Sequence, residues 1–132
     1  MTIYQHSSQL ERNLRELFDS IAEDGDSASK AVSKSRLIMG LKTYEPEIEV
    51  LINGRKDPVE ITYGSYRLRP DLELTINADA LHYILLGELG FTKALAGGQL
   101  KLRGPVHKSF VLEGVFRRGQ ELYPEIWQKN AS

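Results

Sequence analysis

The chain has 132 residues, 41% of them hydrophobic and 27% charged, with a formal net charge of −1 and no cysteine. That size suits one domain able to bury about two thirds of its unfolded surface. The balanced charge gives no nucleic-acid footprint, the missing cysteines exclude disulfides and thiolate chemistry, and no apolar run approaches the roughly 20 residues of a membrane span.

The first element announces itself by spacing. Ser8-Gln9-Leu10-Glu11 has the form of a capping box, with Ser8 at the N-cap and Glu11 at N3. Leu10, Leu14, Leu17, Phe18 and Ile21 follow at helical intervals, which predicts an amphipathic helix over about Gln9 to Glu23. Asp24-Gly25-Asp26-Ser27 stops it, and the small, polar run Ser27 to Ser35 is open to a helical turn or a loop.

Strand signals come next. Arg36 to Tyr44 carries Leu37, Met39 and Leu41 on one parity, and Pro46 breaks the run. Ile48, Val50 and Ile52 alternate with glutamates, Asn53-Gly54 opens a turn that Asp57-Pro58 extends, and Val59, Ile61 and Tyr63 alternate again. Pro70 keeps the Gly64 to Asp71 connection out of a central strand, and Leu72, Leu74 and Ile76 then share a face. The short connections predict an antiparallel meander with one wet face and one buried face. On this reading Glu47, Glu49, Glu60 and Glu73 point to solvent.

Asp79 or Asn77 caps a helix carrying Leu81, Ile84, Leu85 and Leu89, which Gly87 and Gly90 cut short. Phe91 to Ala96 reads as a shorter helix closed by Gly97-Gly98, and Leu100 and Leu102 form a last strand with Lys101 and Arg103 outward. From Val106 to Trp127 the residues Phe110, Val111, Val115 and Leu122 form a helical stripe with Phe116 beside it. Gly114 and Gly119 let this helix pack closely or break, and Pro124 ends it or starts a new turn.

Charge is uneven along the chain. Met1 to Lys30 holds six acids, among them Glu23, Asp24 and Asp26, against three bases, whereas Phe91 to Arg118 holds six bases against the single acid Glu113. The basic half reads as a solvated surface or as a weak docking face for an anionic membrane or an acidic partner. The mostly polar stretch Met1 to Gln9 has no signal-peptide core and the tail no peroxisomal signal, so the expected compartment is the cytoplasm.

Candidate chemistry is sparse. His6, His82 and His107 have no metal-ligand spacing, no serine stands in a nucleophile-elbow context, and Gly97-Gly98 precedes a strand rather than a helix. The expectation is therefore no enzyme, no metal and no cofactor. The apolar inventory remains, and it suits a chain that holds a greasy molecule rather than transforms one.

The segment Asp71-Leu72-Glu73-Leu74-Thr75-Ile76-Asn77-Ala78-Asp79, with Lys93-Ala94-Leu95-Ala96-Gly97-Gly98-Gln99-Leu100-Lys101-Leu102-Arg103-Gly104, resembles the sterol carrier protein type 2 family. Glu49 to Gly54 resembles the preceding hairpin more weakly, while Gly90-Phe91-Thr92 and Pro105 depart from the family pattern. The resemblance spans about Arg36 to Trp127 and implies an α+β sandwich: a five-stranded, mostly antiparallel sheet with helices over one face and an apolar tunnel between them. It implies non-catalytic binding, and transfer, of a fatty acid, acyl-CoA or sterol-like lipid. The chain then reads as one lipid-binding domain over 1–132, with 1–35 a helix and polar connection and 36–127 the core.

The expected lining is Leu74, Ile76, Leu81, Ile84, Leu85, Phe91, Leu95, Leu100, Leu102, Phe110, Val111, Val115 and Phe116. Arg117 or Arg118 would meet a headgroup, and Leu122, Ile126 and Trp127 would gate the interior. The expected state is a monomer or weak homodimer without nucleic acid. The alternatives are a protein-interaction or structural module with a shrunken pocket, or a hot-dog-type thioesterase, against which the glycine-interrupted helix argues.

Overall fold

The computed structural model describes residues 2–131 except 24–26. The predicted stop at Asp24-Gly25-Asp26 lies outside the described residues.

Helix α1 (Ser7–Glu23) begins earlier than its expected capping box. Gln9 Oε1 accepts the His6 N–H at 3.2 Å, and the Gln9 N–H donates to the His6 carbonyl at 3.1 Å. The back-bonding side chain is therefore Gln9 rather than Glu11, which instead pairs with Arg15 one turn on. Leu10, Leu14, Leu17, Phe18 and Ile21 are all buried, so the apolar stripe of α1 is spent on the core. The open choice over Ser27 to Ser35 resolves as helix α2 (Ser27–Ser35), which buries Ala28, Ser29 and Val32.

Five strands follow: β1 (Ile38–Tyr44), β2 (Ile48–Asn53), β3 (Glu60–Tyr63), β4 (Leu72–Asn77) and β5 (Leu100–Arg103). Their order across the sheet is β3-β2-β1-β4-β5. Three pairings are antiparallel, β1 with β2, β2 with β3 and β4 with β5, while β1 and β4 run parallel. The sheet is mostly antiparallel as expected, but it is not a continuous meander. The chain leaves edge strand β3, crosses the outer face of the sheet and lands on the free edge of β1. Gly40 permits that crossing, because a Cβ there would collide with the Tyr66 ring and with Pro70.

Period-two alternation puts Met39, Leu41, Val50, Ile52, Leu72, Leu74, Ile76 and Leu100 on the helix-covered face, all buried. The outer face is not uniformly wet. Glu73 lies under the crossing loop, where it accepts the Tyr66 hydroxyl at 2.6 Å and stands 3.7 Å from Lys42 Nζ. Asp71 accepts the Ile38 N–H at 2.9 Å and both Arg55 hydrogen bonds at 3.1 Å, so it locks β4 to β1 at the start of their shared register.

Helix α3 (Ala78–Leu85) is capped by Asn77, whose Oδ1 accepts the N–H groups of Asp79 at 2.9 Å and Ala80 at 3.3 Å. Asp79, the alternative cap, instead accepts the Ile3 N–H at 2.9 Å and ties down the N-terminal segment. Helix α4 (Phe91–Ala96) is six residues long and buries one of them, Ala94. A 3₁₀ turn (Val106–Lys108) leads into α5 (Phe110–Asn130).

The expected break in α5 does not occur, since its 21 residues run straight through Pro124. Proline removes the N–H that would bond the Gln120 carbonyl. Pro124 stands on the exposed side of the helix, where water can satisfy that carbonyl, while Tyr123 opposite it is fully buried. Gly119 takes the close-packing option: a Cβ would lie 2.9 Å from Leu85 Cδ2, so its absence seats α5 against α3. One apolar cluster unites α1, α2, α3, α5 and the inner sheet face.

Candidate functional site: a cationic groove and a buried polar relay

The end of α3, one side of α4 and the first half of α5 border an open groove of about 650 Å³. This lies within the roughly 300–1,000 Å³ typical of small-molecule sites. Ile84, Phe91 and Phe116 form its apolar floor, with the two phenyl rings 5.5 Å apart and tilted by 44°. Lys93 from α4 and Arg117 from α5 stand at its rim with the single acid Glu113. Gln120 also lines it and donates from Nε2 to the Ile84 carbonyl at 2.9 Å, which fixes the end of α3 against α5.

The structure distributes the residues named from sequence. Ile84, Phe91, Phe116 and Arg117 line the groove. Leu74, Ile76, Leu81, Leu85, Leu100, Val111 and Val115 are buried in the core, while Leu95 and Leu102 pack against it from partly exposed positions. Phe110 stands 66% exposed at the start of α5, and Arg118 pairs with Glu121 at 3.2 Å. Between the layers the apolar side chains close on one another. The enclosed apolar void bounded by Phe18, Val32, Ile52, Ile61 and Val115 has a volume of about 10 Å³, at the lower limit for one water. Thr92, Lys93, Ala96, Glu113 and Gln120 were not anticipated as lining. Their signal, polar positions on the wet sides of two helices, does not distinguish a groove from open solvent.

A second arrangement centres on His82, in the middle of α3. His82, 4% exposed, has Nδ1 2.7 Å from the Tyr123 hydroxyl, which lies 2.6 Å from the Tyr4 hydroxyl. Asn13 Nδ2 donates to Tyr4 Oη at 2.7 Å, and Asn13 Oδ1 accepts from Asn130 Nδ2 at 2.8 Å. Both tyrosine protons find an acceptor if Tyr4 donates to Tyr123 and Tyr123 donates to the Nδ1 of a neutral His82. Burial raises the hydroxyls of Tyr4 and Tyr123 above the ordinary tyrosine range and lowers His82 below the ordinary histidine value. Trp127 lies edge-on to His82 at 4.5 Å and to Tyr4 at 5.5 Å. Leu122 and Ile126 are partly buried beside it. Lys129 Nζ closes the end of α5 onto Glu16 at 2.8 Å and lowers that carboxyl below its usual range. The relay thus joins the N-terminal segment, α1, α3 and α5 into one fastening.

No family model matches the sequence, and no curated protein matches it. Solved structures do resemble it. The sterol carrier protein domain 2 of Helicoverpa armigera is 22% identical, with 86% of this chain and 89% of that one covered at a TM-score of 0.67. Sterol carrier protein 2 from Yarrowia lipolytica, in its apo form, is 18% identical over 91% and 96% of the two chains, with a TM-score of 0.65. Palmitated SCP2L2 from Aedes aegypti is 16% identical over 86% and 95%, with a TM-score of 0.57. At these identities the likeness establishes the fold: the chain is built as a sterol carrier protein 2 domain is built.

Proposed function

We propose that the protein is a non-catalytic carrier of an apolar lipid with an anionic head, a fatty acid or acyl-CoA before a neutral sterol. The groove between α4 and α5 carries this reading, because it joins an aromatic and aliphatic floor to two cations in a volume of about 650 Å³. Its polar residues suit an anion better than they suit activation of a nucleophile. The names of the neighbouring folds, sterol carriers and one palmitated chain, support the ligand class.

The groove is open at its rim, and α4 is the element that can deepen it over the hydrocarbon. Gly87 (φ 79°) precedes α4 in the connection from α3 and Gly98 (φ 78°) follows it before β5; a Cβ at either would touch nothing, so these glycines serve backbone conformation rather than packing. Swinging α4 outward would uncover Leu95, Leu100 and Leu102 to the guest. Each methylene buried there contributes about 0.8 kcal/mol, so a chain of ten repays about 8 kcal/mol before ordering costs.

Titration with a fluorescent fatty acid tests the reading. Saturable binding near one equivalent is expected, with natural fatty acid displacing the probe. Lys93→Glu with Arg117→Glu should weaken it by about tenfold or more, since a charge-assisted hydrogen bond is worth about 1.5–3 kcal/mol. Absence of saturable binding in the wild-type protein ends the proposal.

A further inference from the structure

We propose that the corner where β5 turns into α5 docks the protein on anionic lipid bilayers, with Val106 and Phe110 inserted and Lys108 and Arg117 over the headgroups, Lys101 and Arg103 on edge strand β5 adding to the local positive charge. The inference rests on the carrier reading for its purpose and adds the surface on which a guest is exchanged.

Phe110 and Val106 are 66% and 53% exposed, more than any other large hydrophobic residue among those described, and they lie four positions apart on one connection. Large apolar side chains displayed beside cations mark an interaction face. Lys108 stands exposed between the two apolar residues, and Lys101 and Arg103 point from edge strand β5 to the sheet face away from the helices. Among the described residues none of these four cations forms an ion pair, whereas Arg15, Lys42, Arg55, Arg118 and Lys129 do. An unneutralised cluster of this kind complements an anionic surface, and lone apolar side chains within it find hydrocarbon a few ångströms below the headgroups.

The corner is continuous with the groove. Arg117 is two turns from Phe110 on the same face of α5, and Gly114 between them leaves that stripe clear. A bilayer touching Phe110 therefore meets the groove's cationic rim. Helix α1, the other strongly amphipathic element, is unsuited to docking because its apolar stripe is buried in the core.

The test is sedimentation of the full chain with phosphatidylcholine vesicles, with and without a minority of phosphatidylglycerol, and no fatty acid present. Binding is expected on the anionic vesicles, and it should fall steeply as salt rises from about 0.1 M to 1 M and the screening length drops from about 10 to 3 Å. Phe110→Ser should weaken partitioning by about tenfold. Lys108→Gln should weaken it about fivefold, the effect of one cation near an anionic surface. Lys34→Gln on α2 should leave it unchanged. Because the chain has no cysteine, Val106→Cys carries a single environment-sensitive dye, which should shift to the blue on anionic vesicles and be quenched by brominated acyl chains. Four results overturn the proposal: equal binding to neutral vesicles, no effect of Phe110→Ser and Lys108→Gln, a dye that stays in water, or lipid-free self-association that Phe110→Ser abolishes. Vesicle adsorption and fatty-acid binding are read separately, so failure of one leaves the other standing.

Discussion

With Nδ1 accepting from Tyr123, His82 takes up a proton by reversing that hydrogen bond. Its neighbour Tyr123 is fully buried, and so is most of Tyr4. Burial holds the folded His82 below the ordinary value of 6.5, so as pH falls the unfolded chain takes up the proton first. The stabilisation is complete above pH of about 6.5 and is lost progressively below it, down to the folded-state value. Urea unfolding at stepped pH should show this decline, and His82→Asn, which keeps a short polar group but cannot titrate, should flatten it. Tyr123→Phe should cost about 1–3 kcal/mol at neutral pH, because it strands the Tyr4 hydroxyl and His82 Nδ1 together. An unchanged unfolding midpoint in Tyr123→Phe would mean that the relay holds nothing.

At the scale of elements, α5 shows how a local rule yields to packing. Gly114, Gly119 and Pro124 all disfavour a helix, yet α5 is 21 residues long because its other side is seated on α1, α2 and α3. Gly119 is specific to that seating. Gly119→Ala gains about 1 kcal/mol of helix propensity but presses its Cβ onto Leu85, so denaturant melts should place it within about 1 kcal/mol of wild type. Gly119→Val should destabilise by about 1–3 kcal/mol, the usual cost of overpacking. Strand and helix positions were legible where period two or 3.6 ran unbroken, as in Leu72 to Ile76 and Leu10 to Ile21. The β1–β4 pairing was not, because it depends on a loop crossing over Gly40, and a glycine in a strand has several uses. The capping residue was missed for a similar reason: Ser8 with Glu11 and His6 with Gln9 are both plausible openings, and sequence does not rank them. Of the groove, Ile84, Phe91, Phe116 and Arg117 were legible as apolar stripe or neighbouring cation. The space between α4 and α5 was not, since it depends on how two helices splay.

For the molecule as a whole, the question is where it opens. The sequence points to the last turns of α5 as the gate, because a terminal helix frays at little cost. Here those turns are held by Tyr123, by Asn130 on Asn13 at 2.8 Å and by Lys129 on Glu16 at 2.8 Å. Helix α4 has six residues, one of them buried, and glycines beyond both ends. A segment with so few buried apolar contacts opens at far lower free energy than the core. Amide hydrogen exchange should therefore find α4 exchanging well before β4 and before the Tyr123 turn of α5. Saturating palmitate should slow α4 most, since a helix packed on a bound acyl chain opens to exchange only once the chain has left, at a further cost of RT ln(1 + [L]/Kd). Should the Tyr123 turn exchange first and α4 stay protected with or without palmitate, the way in lies at the C-terminus of α5, and the groove at α4 is a surface feature of a chain that opens elsewhere.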